Sequence, residues 1–422
     1  FLSVISLISY VLTKVAVTVY AGGIAFKTIL GIESIWGIDF FWISAIGLVV
    51  ITGIYTVLGG MKAIMWTSVL QTPVLIIGSL VILVVGLDKV GGWEEVERIN
   101  AANMHLIRSA SDAEFPWPGI IFGSFIIGFW YWCTDQYIVQ RVLSAKGIKE
   151  ARRGTMFAGY LKLLPVFIFL VPGMIAYALN AKGIISYESA DQAFPTLVAE
   201  LLPAGVKGIV IGGLVAALMS SLASLFNSSA TLFTIDFYKK FKPESSEKHL
   251  LKVGRIATIV IVVLGLLWIP VMSLIADVLY EYLQSVQSLI APGIAAVFLL
   301  GLCSKRITPT AGFVGLVSGF VLGMIRLVLL PFKDDLTGSS FAWITTMNWL
   351  YYCILLFVVV VAIMIVVSIF TKQADEEQLK GLTFSSLDKA TMKEVAAGLD
   401  KWDYIHTAGI IGITAFIYYR FW

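Results

Sequence analysis

The chain has 422 residues, of which 59% are hydrophobic and 14% are charged, and its mean hydropathy is +0.90. Water-soluble domains do not have this balance, so the composition predicts an integral membrane protein. The net charge of +3 argues against nucleic acid as a partner, and the three cysteines lie in or beside apolar runs, which argues against a disulfide framework.

Eleven apolar segments predict transmembrane helices, because each is long enough to cross about 30 Å of hydrocarbon at about 1.5 Å per residue. In chain order they are 1–28, 38–58, 64–87, 116–140, 152–180, 206–238, 252–272, 274–302, 309–331, 341–371 and 403–421. The chain starts inside an apolar run without a methionine or a polar leader. We therefore expect it to begin part-way into a longer protein.

The distribution of basic residues predicts the orientation in the membrane. Five Lys or Arg against one acid occupy 141–153, and six against two occupy 239–255. By the positive-inside rule these loops are cytoplasmic, which places 88–115 and the C-terminal Trp422 outside. The domain prediction is a membrane core at 1–371, a charged and partly helical cytoplasmic linker at 372–402, and a last membrane helix at 403–422.

The stretch 128–141, GFWYWCTDQYIVQR, places polar and aromatic groups within a membrane segment. Such groups are costly in hydrocarbon unless they line a cavity or a binding site. Tyr131 and Trp132 offer flat faces on which a sugar can stack, and a helix that unwinds at Gly128 would offer free backbone groups to a ligand. The alternative is an interfacial aromatic belt, but these residues lie about ten positions before the basic loop, too far in for a belt.

Two more polar side chains lie in apolar surroundings. Lys162 is about 12 Å into its segment, where a lysine costs roughly 2.5–3.5 kcal/mol on insertion scales. It could donate to a polyol hydroxyl or form an ion pair, and the alternative is that it snorkels to the interface. Gln284 can donate and accept at once, which suits recognition of hydroxyl groups. Together these residues predict a path for a solute through the membrane.

Ala217, Ser220 and Ser221 lie at positions i, i+3 and i+4 and so share one face of a predicted helix. Two hydroxyls beside small residues can supply neutral oxygen ligands, which suit a sodium ion. The alternative is that alanine and serine only allow close packing between helices, and this pattern alone favours that alternative.

Motifs for other function classes are missing from the sequence. There is no GxxxxGK[ST] loop to bind ATP, and neither a Ser-His-Asp nor an HExxH arrangement is evident. The three histidines are scattered along the chain. The sequence therefore predicts neither an enzyme nor a pump driven by ATP.

Long motifs resemble those of the sodium/glucose cotransporter family within the solute:sodium symporters. They are YTVLGGMKA at 55–63, GFWYWCTDQYIVQRVLSAK, LKLLPVFIFLVPGM, LMSSLASLFNSSATLFTIDFY and APGIAAVFLLGLCSKR. The resemblance implies an all-α membrane protein with the inverted-repeat helical bundle of the leucine-transporter type. It also implies that the first helices of the core precede Phe1, and that 116–140 is the broken sixth helix.

The resemblance assigns roles residue by residue. It implies that Tyr131 stacks on the sugar and closes the inner gate, with Trp132 beside it in the pocket. It implies that Lys162 and Gln284 hydrogen-bond the sugar. It also implies that Ala217, Ser220 and Ser221 contribute to a sodium site.

Three positions depart from the family's pattern. Gly128 stands where a related galactose transporter has an amide, so the resemblance does not fix the sugar. Ser68 stands where many members have aspartate, and Ala223 where two-sodium members tend to carry a hydroxyl. Both of these changes remove oxygen ligands from a second cation site, which predicts one sodium ion per sugar.

The resulting prediction is a sodium-coupled symporter for a hexose such as glucose or galactose, in a bacterial inner membrane. Its partners are the sugar, the sodium ion and the bilayer, and no obligatory protein partner is inferred. The alternatives are a symporter of the same family for inositol or an organic anion, and a sensor on the same fold that does not transport.

Overall fold

The computed structural model describes residues 1–272, 274–275, 278–387 and 399–421. The described chain is almost entirely helical. In chain order its elements are α1 (Leu2–Leu30), β1 (Ser34–Ile35), β2 (Ile38–Asp39), α2 (Phe40–Val90), α3 (Trp93–Ile99), α4 (Gly119–Thr134), α5 (Gln136–Leu143), α6 (Ile148–Ala181), α7 (Ala193–Leu201), α8 (Ala204–Phe241), α9 (Glu247–Met272), α10 (Leu279–Cys303), α11 (Pro309–Phe332), α12 (Ala342–Thr346), α13 (Trp349–Phe370), α14 (Glu376–Leu379) and α15 (Lys401–Arg420).

Within the described residues, eight helical segments are long and apolar enough to cross a membrane, and two shorter apolar helices cover 40–54 and 119–134. These segments account for the apolar runs that the sequence predicted, with three differences. The predicted span 116–140 is divided between α4 and α5. The predicted span 403–421 is helical as α15 but is not among the eight. The spans at 38–58 and 64–87 form one helix.

That single helix, α2, has 51 residues and a length of about 76 Å. The sequence predicted two separate spans, 38–58 and 64–87, with Gly59 and Gly60 between them. No proline interrupts 58–64, and a glycine lowers helix propensity by only about 1 kcal/mol, so the backbone can stay helical there.

The predicted linker at 372–402 contains α14 and a short 3₁₀ turn at Phe384–Ser386. Its residues 388–398, and Trp422 at the C-terminus, lie outside the described part of the chain. The cytoplasmic position of the linker and the side on which Trp422 lies stay predictions.

A tight hairpin joins α1 to α2. Ser34 pairs with Asp39 across two short strands, and Trp36 and Gly37 form the turn with positive φ angles of 54° and 77°. Two-residue hairpin turns of this kind match the twist of the strands. Asp39 accepts from the backbone N–H of Phe41 and pairs with Lys27 at 2.8 Å, so the hairpin also caps α2. Lys27 holds the pKa of Asp39 below its ordinary value.

The chain divides into two compact units, each assembled from separate stretches. Unit I contains residues 1–6, 106–159 and 282–422, and unit II contains 7–105 and 160–281. Each unit is described by itself below.

Unit II is built on close contact between α2 and α8. A β-carbon at Gly78 would lie 2.5 Å from Val210, and one at Gly213 would lie 2.8 Å from Val74. Small residues at such crossings let helices approach closely. The resulting van der Waals contacts stabilise helix packing in a bilayer, where the hydrophobic effect does not drive helices together.

Unit I is packed around a row of glycines on α11. A β-carbon at Gly319 would lie 2.7 Å from the Cα of Gly293 on α10, and one at Gly315 would lie 2.6 Å from Met364 on α13. Gly323, one turn further on, faces the backbone carbonyl of Leu289. The four-residue spacing places all three glycines on one face of α11.

Candidate functional site

The helix that carries the aromatic residues is broken at Asp135. This residue is extended, with φ −74° and ψ 119°, and its side chain is 4% exposed. Its carboxylate accepts the backbone N–H of Tyr137 at 3.2 Å and so caps α5. The sequence placed unwinding at Gly128 instead. That expectation is wrong, because Gly128 lies within the regular helical part of α4.

The last turn of α4, Trp130–Thr134, is a π-helix. The N–H of Asp135 donates to the carbonyl of Trp130 at 3.1 Å, which closes the wide turn. Thr134 donates its hydroxyl to the same carbonyl at 2.8 Å. Wide turns of this type are rare and occur frequently at functional sites.

Tyr131 and Trp132 both lie in this wide turn. Their ring centroids are 4.9 Å apart with an interplanar angle of 81°, an edge-to-face pair. Trp132 is 46% exposed and Tyr131 is partly buried. An edge-to-face contact covers one face of one ring only, so the pair by itself does not block stacking of a sugar ring.

Gln284 also belongs to unit I, in the second turn of α10. It is partly buried, and the residues that follow it, from Val286 to Ala296, form the most buried stretch of that helix. Gly128, Tyr131, Trp132 and Gln284 are thus all in one unit.

Lys162 belongs to unit II and lies at a break in α6. Residues 162–164 form a turn between the regular helix Ile148–Leu161 and the π-helix Val166–Leu170. Pro165 accounts for the break, because it has no N–H to donate to the carbonyl one turn earlier. The lysine lies fourteen residues after the start of α6, or about 21 Å along the helix.

The candidate sodium residues lie in the middle of α8. Ala217 and Ser221 are partly buried, whereas Ser220 is buried. The hydroxyl oxygen of Ser220 is 2.7 Å from that of Ser68 on α2. Ser224 donates to the carbonyl of Ser220 at 3.0 Å.

This contact joins residues of two predicted cation sites. The resemblance assigned Ser220 to the first site and implied that Ser68 removes a ligand from the second. Their oxygens are neutral, and in the described part of the chain no group of three His, Cys, Asp or Glu side chains could hold a metal ion. A cation at Ser220 would therefore meet hydroxyl and carbonyl oxygens.

Two buried cations were missed by the sequence reasoning. Lys14 is 8% exposed, and its Nζ lies 5.1 Å from the ring centroid of Tyr10 in a π-helical turn of α1. Arg326 on α11 is 2% exposed and donates to the carbonyl of Met347 at 2.5 Å. The argument from cost that selected Lys162 applies equally to both, because each is a cation within an apolar run.

Asp191 was also missed, because it lies in a loop that reads as ordinary solvent-exposed sequence. Both of its carboxylate oxygens are 3.2 Å from the N–H of Leu279, at the start of α10. Burial raises the pKa of this carboxyl above its ordinary value.

The fold and the site define a class: a helical membrane protein of the leucine-transporter type, with a broken helix and neutral oxygens on a buried helix face. A model of the sodium:solute symporter family matches residues 1–319, and the chain belongs to this family of sodium-coupled transporters, which are not enzymes.

Relatives support the assignment over nearly the whole chain. It is 35% identical over 420 residues to sodium/glucose cotransporter 4 of Mus musculus and 36% identical over 432 residues to sodium/myo-inositol cotransporter 2 of Homo sapiens. These matches cover 91% and 94% of this chain but 60% and 63% of the relatives, so the chain spans about three fifths of their length. The fold is similar to that of a solved Na⁺-coupled sialic acid symporter, with a TM-score of 0.66 and 21% identity over 88% of this chain and 75% of that one.

Proposed function

We propose that the whole protein is a sodium-coupled symporter that carries a hexose or a related polyol into the cell by alternating access. The observation that carries this proposal is the pair Tyr131 and Trp132 in a wide helical turn that ends at the break at Asp135. A broken membrane helix offers backbone groups to a ligand, and the aromatic pair offers a stacking face.

In this mechanism Tyr131 stacks on the sugar ring and closes the inner gate, with Trp132 forming the wall beside it. Lys162 and Gln284 donate to sugar hydroxyls, and Gly128 leaves room beside the rings. Such a site binds a neutral polyol through stacking and hydrogen bonds, with no fixed charge required on the solute.

Sodium supplies the energy. A tenfold gradient with 100 mV across the membrane gives roughly 3.7 kcal/mol per ion. One ion can therefore sustain up to about 500-fold accumulation of the sugar. Ala217, Ser220 and Ser221 contribute oxygens to one site, and with a serine at position 68 we propose one sodium per sugar.

Inositol and an organic anion are the competing solutes. The cotransporter for myo-inositol among the relatives favours the first, and the charge of Lys162 favours the second, since it could pair with a carboxylate. We also propose that the membrane is a bacterial inner membrane, with the basic loops at 141–153 and 239–255 facing the cytoplasm.

The test uses the full natural chain in sealed vesicles with an inward sodium gradient. Uptake of labelled glucose is competed with galactose, inositol and sialic acid. Tyr131→Ala should abolish most uptake, while Phe125→Ala, which removes an exposed aromatic six residues earlier on the same helix, should retain it.

Lys162→Ala distinguishes the solute classes. We expect it to lose most uptake of a neutral sugar, with Lys305→Ala as the control because that lysine lies in an exposed turn after α10. If sialic acid were the better competitor and Lys162→Ala removed only its effect, the solute would be an anion. Uptake that does not depend on sodium, or that never exceeds equilibration, would contradict symport and support a sensor or a channel.

A further inference from the structure

An apolar groove runs along the surface of unit II between α1, the end of α8 and α9. Its volume is about 460 Å³, within the range of about 300–1,000 Å³ typical of ligand pockets. The residues that define it for this argument are Val11, Phe233, Tyr238, Ile256, Val260 and Leu264. Apart from the hydroxyl of Tyr238, its lining side chains are all hydrocarbon.

One row of side chains on α9 leads into this groove. Ile256, Val260 and Leu264 are four residues apart and therefore lie on one face of the helix. They are 61%, 50% and 47% exposed. The same spacing, continued toward the start of α9, reaches Lys252 and then Lys248, both exposed. Each step is about 6 Å, so two cations precede an apolar surface about 12 Å long.

The charge around the mouth of the groove is strongly positive. The stretch 239–255 has six Lys or Arg and two glutamates. Among the described residues, no carboxylate forms an ion pair with Lys248 or Lys252. The hydroxyl of Tyr238 is 2.6 Å from Nε2 of His249, which ties the end of α8 to the first turn of α9 at this mouth.

We propose that the groove binds an acyl chain of an anionic phospholipid, with the phosphate held by Lys248 and Lys252. The row supplies both halves of the recognition: cations at the depth of the headgroup and a hydrocarbon surface below them. A zwitterionic lipid could also fill the groove, but the cation of its headgroup offsets the charge of its phosphate, so it would gain less from the two lysines.

The length of the groove suits a lipid chain. From Val253 to Leu264 the groove is about 16 Å long, so an extended acyl chain can lie along α9. An apolar lining with cations beyond one end matches an acyl chain below a charged headgroup.

The test measures lipid binding to the purified full-length protein after removal of bound lipid. Phosphatidylglycerol and phosphatidylcholine with identical acyl chains are titrated separately, and adducts are counted by native mass spectrometry. The first variant is Lys248→Gln with Lys252→Gln, and its matched control is Lys146→Gln with Lys149→Gln, which removes two exposed charges from the other basic loop. The second variant is Val260→Phe, which fills the groove, and its control is Leu267→Phe on the exposed surface of the same helix.

We expect the wild-type protein to bind phosphatidylglycerol about tenfold or more tightly than phosphatidylcholine, since a lysine near the surface contributes about fivefold. The double glutamine variant should lose most of this preference, and Val260→Phe should weaken binding of both lipids, while both controls behave as wild type. Three results would each overturn the proposal. They are equal binding of the two lipids by wild type, an equal loss of the preference in the Lys146→Gln, Lys149→Gln control, and normal lipid binding by Val260→Phe. Lower thermal stability of Val260→Phe with unchanged lipid binding would show that protein, not lipid, fills the groove.

Discussion

Replacing Gly323 by alanine should force α10 and α11 apart, because the new β-carbon would meet the backbone carbonyl of Leu289. A carbonyl oxygen cannot move aside by a change of rotamer, so the helices themselves must shift. Non-bonded carbon atoms are best separated by about 3.5–4.0 Å, and reaching such a distance requires an opening of more than about 1 Å. Overpacking of this kind costs about 1–3 kcal/mol.

The matched control is Gly312→Ala on the same helix. Its β-carbon would lie 3.8 Å from the side chain of Val297, an ordinary contact. Both variants gain up to about 1 kcal/mol of helix propensity. The difference between them therefore isolates the effect of the close contact at Gly323.

The assay is equilibrium unfolding of the full-length protein in mixed micelles. We expect Gly323→Ala to be less stable than Gly312→Ala by about 1–3 kcal/mol. The same variant should raise the KM for sugar, because Leu289 is five residues from Gln284 on α10 and a displacement there moves a proposed sugar donor. If the two alanine variants were equally stable, the close approach of α10 to α11 would be wrong.

Three further predictions follow from single contacts. Asp135→Ala should lower the free energy of unfolding by about 1 kcal/mol through loss of a helix cap, and Asp135→Asn should restore most of it; identical melting of both variants would contradict the capping role. Arg98 and Lys182 lower the pKa of Glu95 to about 2 from its ordinary value of 4.5. The stabilisation is therefore complete above about pH 4.5 and is lost as the pH falls toward 2, so Glu95→Gln should melt below wild type at pH 6 and approach it at pH 3. Ser68→Asp should supply a carboxylate to the proposed second cation site and move the paired isotope flux ratio of sodium to sugar from one toward two. A ratio that stays at one would count against the role given to this position.

The membrane character and most of the helices were predictable because they depend on local composition. An apolar run of sufficient length has few alternatives to a helix in a bilayer, where every backbone group needs an internal partner. The exception is α2, where two runs were read as two helices. The only sequence signal for one continuous helix is that no proline separates the two runs. Two glycines between the runs made a break look plausible.

The positions of the breaks could not be predicted equally well. Gly128 looked like the weak point of its helix because polar aromatic residues follow it directly, but the helix breaks at Asp135, whose carboxylate caps α5. The turn at Lys162 has a local cause in Pro165 and could have been inferred. In both segments the position of the break is better predicted by the residue that causes it, Asp135 or Pro165, than by the nearest glycine.

The contact between Ser68 and Ser220 was out of reach of the sequence. These residues are 152 positions apart, and each hydroxyl alone is typical of small residues at a helix crossing. Their register depends on how α2 and α8 pack, which in turn depends on glycines such as Gly78 and Gly213 at the crossing. The chemistry of the residues was predictable, whereas their pairing was not.

The wide π-helical turns in α1, α4, α6 and α8 have a consequence for how such a chain tolerates change in length. Adding one residue to a regular α-helix rotates everything beyond it by about 100°, which in a bilayer would turn a lipid-facing surface inward. A π turn holds one extra residue within a single turn, so gain or loss of a residue there changes the turn and not the phase of the helix beyond it. The turn at Trp130–Thr134 is thus a place where one-residue insertions and deletions can be absorbed while Asp135 and α5 keep their orientation.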